Sequence, residues 1–139
     1  MLDYAKAAIR AQMADWSETP VKWPNENIEI SADTPWLAIE IDGGQGYTSP
    51  FNDAAYRFSK DAGILWLMSY VPTGTGFEYA STLLRQVSMR FAMQSLPTSV
   101  SGCYVHFDAA SFGGSGSGDE DGLWYMEALS IPFTLVTSE

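Results

Sequence analysis

The stretch 64–71 (Ile-Leu-Trp-Leu-Met-Ser-Tyr-Val) limits the possible folds of this chain more than any other. It is apolar or aromatic at every position except Ser69. A strand with one wet face alternates, and this one does not, so both of its faces are expected to be covered. Pro72 ends it, having no N–H to give to a ladder. Gly74 and Gly76 then let the backbone reverse, and Thr75 is a reasonable helix cap. The helix is predicted over 77–94, with Ala80, Leu84, Val87 and Phe91 in one stripe toward the sheet. Each such side chain stabilises the fold by about 1.5–3 kcal/mol if fully buried. The opposite face carries Glu78, Thr82, Arg85, Gln86, Met89, Arg90 and Met93. Apolar residues scattered on a surface are ordinary. Methionine and arginine together also fit a subunit contact, because both are enriched at interfaces.

Around this unit the pattern predicts a single α+β domain over 1–139. One mixed or mostly antiparallel sheet of about five strands is flanked by two main helices. Leu2, Ala5, Ile9, Met13 and Trp16 recur at helical spacing over 2–16. Residues 36–41 alternate, with Leu37, Ile39 and Ile41 toward the core and Trp36, Ala38 and Glu40 outward. The glycines at 43, 44 and 46 are expected to break that strand. A further strand is predicted over 55–60, joined to 64–71 by a tight turn at Asp61-Ala62-Gly63. Residues 96–99 read as a connection. In 102–109 the strand pattern points Cys103, Val105 and Phe107 inward and Tyr104, His106 and Asp108 outward. Residues 113–122 combine Gly/Ser repetition with Asp119, Glu120 and Asp121, and are expected to form a flexible acidic loop. A long last strand covers 123–136, where Pro132 implies an edge, a bulge or a break.

Charge and composition narrow the function classes. Seventeen acidic residues against seven basic ones give a net charge of −10, which repels nucleic acid and anionic membranes. Cys103 stands alone, so no internal disulfide is possible. No signal peptide and no membrane span are expected.

The inventory for catalysis is thin. His106, two residues from Asp108 on one strand face with Ser111 beyond, is the only histidine. No Gly-x-Ser-x-Gly elbow presents a nucleophile. Gly74-Thr75-Gly76 lacks the residues of a phosphate-binding loop, and the acidic triplet lacks the spacing of a calcium loop. No enzyme activity, metal or cofactor is therefore expected. The alternative is a small ligand-binding or enzymatic α+β domain using the His106/Asp108 face. Trp36 and Trp124, with Met126, fall on the faces expected to be outer, and suggest an apolar surface meant for a partner.

Val21-x-Trp23-Pro24-Asn25, the strand 35–41, Val71-Pro72-Thr73-Gly74-Thr75-Gly76 and the strand from Trp124 to Phe133 occur in an order that resembles the tail-terminator (tail-completion) proteins of long-tailed phages, the group that includes the lambda U protein. The resemblance spans roughly 2–136. It implies a mixed sheet with helices and a homo-oligomeric ring, expected to be a hexamer, at the head-proximal end of the virion tail. Such a ring caps the tail tube protein, ends tail polymerisation and forms the surface for head-tail joining through a connector or stopper protein. On this resemblance DNA is expected to pass through the lumen without specific binding, and the chain to reside in the host cytoplasm before assembly. Gene transfer agents use similar components. On this reading Arg85, Met89, Arg90, Met93, Trp36, Trp124 and Met126 are candidates for subunit or partner contacts.

Overall fold

The computed structural model describes residues 2–29, 33–47, 60–117 and 122–137. Among the described residues two helices, α1 (Leu2–Gln12) and α2 (Glu78–Ser88), accompany seven strands. These are β1 (Val21–Lys22), β2 (Trp36–Tyr47), β3 (Lys60–Pro72), β4 (Ser95–Pro97), β5 (Cys103–Phe107), β6 (Ser111–Ser117) and β7 (Trp124–Thr137). They form one sheet in the order β1-β2-β3-β7-β5-β4, with β6 paired to β7 beside β5. Only β1 and β2 pair in parallel; every other pair is antiparallel. The architecture is α+β as expected, with more strands than the five anticipated.

One face of the sheet carries Leu37, Ile39, Leu65, Leu67, Leu129, Ile131 and Phe133. These join Ala5, Ile9 and Met13 of α1 and Leu83, Leu84 and Val87 of α2 in one buried core. Both helices therefore cover the same side. Phe107 anchors that core between the rings of Phe91 and Phe133. Beyond the helices, Arg90 ties their C-terminal ends together. It reaches Asp15 at 2.6 Å, donates to the Gln12 carbonyl and lies over the Trp16 ring.

Several expectations fail for instructive reasons. The glycines at 43–46 do not end β2; the strand passes through them with a register shift between Gly43 and Gly46. Asp61-Ala62-Gly63 is no turn but lies within β3, paired on both sides. Gly63 is there for space, because a Cβ would stand 2.5 Å from the Phe133 ring and 2.6 Å from the Asp42 carbonyl oxygen. The predicted strand 55–60 falls outside the described residues except for Lys60, the first residue of β3. The start of the expected loop 113–122 is strand, since β6 runs to Ser117. Asp119, Glu120 and Asp121 lie outside the described residues.

Both helices are shorter than predicted, and 95–97 is a short strand on β5 rather than a connection. Thr75 is not the cap of α2: Phe77 is, without a side-chain cap, and the Thr75 hydroxyl donates to the Pro72 carbonyl. Pro132 sits in a central strand, at the point where one edge of β7 changes partner from β5 to β6. Its carbonyl accepts from the Asp108 N–H there. The donor it lacks would point into the same seam, so no ladder bond is lost.

Candidate interaction surfaces

Because side chains alternate along a strand, the register that buries Leu37, Leu67 and Leu129 sends their neighbours to the other face. Trp36, Tyr70 and Met126 lie in one cross-strand row there, Ala38, Met68 and Ala128 in the next, and Glu40, Trp66 and Ser130 in a third. Trp36 stacks on Tyr70 with ring centroids 4.0 Å apart, and Trp124 meets Trp36 edge-on at 6.0 Å. The Trp66 indole N–H donates to Asp42 at 3.1 Å. Burial, with Glu40 nearby, pushes the Tyr70 phenol above its usual range. Among the described residues no helix packs on this face, which corrects the expectation that 64–71 is covered on both sides. The aromatic rings cover one another instead. The indole nitrogen of Trp36 is buried and has no hydrogen-bond partner among the described residues.

The sequence-derived contact residues therefore separate into two places. Trp36, Trp124 and Met126 share the bare sheet face. Arg85, Met89 and Met93 lie exposed around the end of α2, on the helix side, with Met89 70% and Met93 68% exposed. Met93 also adopts a left-handed backbone, φ 61°. Arg90 belongs with neither group, being engaged with Asp15, Gln12 and Trp16.

A third region was not foreseen. Lys6, Ala7, Arg10, Trp23, Pro24 and Ile41 line a groove of about 290 Å³ beside β2. Its rim is held by Arg10, which forks onto Glu26 and lies over the Trp23 ring. That contact lowers the Glu26 carboxyl below its ordinary range, mainly by hydrogen bonding. Trp23-Pro24-Asn25 was noticed as a motif, and its place in this groove gives it a physical role.

The His106 face is more ordered than the sequence indicated. His106 Nδ1 lies 2.9 Å from the Ser95 hydroxyl, not near Ser111, and its Nε2 is 3.9 Å from Asp108. The second separation is too long for a hydrogen bond. All three side chains are exposed, Ser95 on β4, His106 on β5 and Asp108 just beyond it. Ser95 was missed because only the pairing of β4 with β5 brings it opposite His106.

Glu127 was also missed. It is buried at 4% exposure, where Ser81 donates to it at 2.6 Å and Tyr125 at 3.0 Å. The alternation of β7 was the available signal, since it puts Glu127 on the face of Leu129 and Ile131. Among the described residues no three His, Cys, Asp or Glu side chains are grouped as a metal site. No described helix is long and apolar enough to cross a membrane.

No family model matches the chain, and no curated protein matches it by sequence. Several solved structures share its fold, among them the following two. One, whose name is a bare identifier, superposes with a TM-score of 0.74 at 19% identity, covering 100% of this chain and 98% of that one. The other is a chain in the virion of a native gene transfer agent particle. It has a TM-score of 0.58 at 13% identity, covering 97% of this chain and 96% of that one.

Proposed function

We propose that this chain is a structural protein of a phage-type virion, a tail terminator that caps the tail tube as a hexameric ring and offers a surface for head-tail joining. The observation that carries the reading is the full-length likeness in fold to a chain of a gene transfer agent virion. The order of motifs described above supports it from the sequence. So does the bare aromatic face, which suits a protein buried against copies of itself or against neighbours in a particle. The partners are further copies of the chain, the tube protein below and a connector above. An excess of acid lets DNA slide through a lumen that basic walls would make adhesive. The test is electron microscopy of particles from cells that lack this chain. Over-long tubes, or tails without heads, are expected. Normal tails joined to heads overturn the proposal.

A second reading rests on the row Ser95, His106 and Asp108, which would serve a small ligand-binding or enzymatic domain. It predicts that His106→Ala abolishes ligand binding or turnover by the purified monomer. The terminator reading predicts that the same substitution leaves tail completion intact.

A further inference from the structure

The sheet has two lateral borders, and they are finished differently along their length. On one border β4 shields β5 and ends in Pro97, but among the described residues nothing pairs with the outer edge of β6. On the other, β1 covers β2 only at Leu37 and Ala38. From Ile41 onward no described strand lies against β2. Single-chain proteins usually guard such edges with charge or proline. β6 (Ser-Phe-Gly-Gly-Ser-Gly-Ser) has neither.

The backbone directions of these two borders can be worked out. The Leu37 N–H donates to Pro20, away from β3, so by alternation the polar groups of Ile41 and Gly43 also point outward. The Pro132 carbonyl points to the β5/β6 side, so Ala128 and Met126 point there too and bond their partners Gly114 and Gly116. Phe112 and Ser115 then turn their N–H and C=O groups to the open edge. Four consecutive antiparallel strands (β2, β3, β7, β6) separate the borders, so β2 and β6 run in opposite directions. At both borders the outward-pointing backbone belongs to residues whose side chains lie on the helix side. Phe112 and Ser115 stand level with Ile39 and Leu37, at the end of β2 that β1 covers. A second copy with its sheet in the same sense therefore meets the open part of β2 as a regular antiparallel ladder once it is displaced along the strands from Leu37 to Ile41.

The side chains match as well. Phe112 pairs with Leu129 on the helix side of the sheet, yet it is 66% exposed. The groove floored by Ile41, Trp23, Ala7 and Pro24 opens on that same side at the β2 border.

We infer that β6 of one copy adds to the open border of β2 in the next, continuing the sheet from chain to chain and seating Phe112 in the groove beside Trp23 and Ile41. The contact is head-to-tail, and it closes a ring when the strands tilt to the ring axis enough to absorb that displacement; main-chain hydrogen bonds supply much of it. The inference deepens the ring reading, and rests on it, by naming the seam between subunits.

The test places cysteines on both borders, Ile41→Cys and Ser115→Cys, with Cys103→Ser as background. Under oxidation, in concentrated protein and in assembled particles, the double variant is expected to give a ladder of cross-linked species that stops at the ring. Each single variant should give none. A dimer from Ser115→Cys alone would mean that β6 pairs with itself, and would overturn the inference. Rings on a native mass measurement without the ladder would also overturn it while leaving the terminator reading standing. Failure to associate at all, even on tails, would sink both. Phe112→Asp, at an exposed position that cannot unfold the monomer, should weaken association at least about tenfold. Ser115→Pro, which removes an outward main-chain donor and no main-chain bond to β7, though also the hydroxyl that bonds Tyr125, should do the same. Unchanged association in Phe112→Asp refutes the seam.

Discussion

On the helix side of the sheet Leu37, Leu67 and Leu129 are buried under α1 and α2. One residue along the same strands, Trp36, Met68, Tyr70 and Met126 remain partly open. The contrast lies in what covers them. Aliphatic side chains on the helix side gain dense contacts from two helices, and the polar groups there, Ser69 and Glu127, have partners. Large rings on the bare side lean on each other and leave an indole N–H without an acceptor among the described residues. Stability of the single chain should therefore reside in the first face, and the proposed contacts with other chains would fall to the second and to the sheet's borders.

The largest expected effect tests the first half of that division. Phe107→Ala removes the ring that joins Phe91 to Phe133, and should cost about 3–5 kcal/mol in urea unfolding. A loss below about 1 kcal/mol would mean that the core can collapse into the space. Next comes Glu127→Ala, which strands the hydroxyls of Ser81 and Tyr125 and should cost about 1–3 kcal/mol. On the bare face, Trp36→Phe keeps an aromatic ring and discards the unpartnered N–H. Its effect on the monomer should lie within about 1 kcal/mol of neutral and lean toward stabilisation. If assembly weakens while melting does not, the indole has found its acceptor in a neighbour. Met93→Gly is smaller still. It should stabilise by about 0.5–1 kcal/mol by relieving a left-handed backbone, as read by thermal melting.

Much of this division was legible in the chain itself. Alternation in 36–41 and 102–109 gave the correct inward residues, and helical spacing gave the stripe of α2. Glycine misled the reading. At Gly63 a ring from β7 occupies the space of a side chain, and at Gly113 a Cβ would lie 3.1 Å from the Trp66 indole. Both needs arise from strands distant in sequence, so local pattern read them as turn and flexible loop. The candidate contact residues were chosen by type, and type does not say that Arg90 is consumed within the chain. Nor could it reveal the groove at Trp23, which exists only where α1 meets the border of β2.

The smallest effect concerns the two surface ion pairs that brace the helix side. Hydrogen bonding from Arg90, and then its charge, lowers the Asp15 carboxyl; Arg10 does the same to Glu26. A carboxyl lowered in the folded state binds fewer protons than the unfolded chain across the interval between its two values. Its contribution is therefore whole above the unfolded carboxylate range, and fades as pH falls through the lowered folded value. Both pairs are solvent-exposed, so the slope in this acid window should be shallow and salt should flatten it further. Arg10→Met ought to remove the Glu26 part of the slope and leave the Asp15 part. Denaturant unfolding at several acid pH values, at low and high salt, reads both. A slope indifferent to Arg10→Met and to salt would mean that the outer braces do not carry the acid dependence.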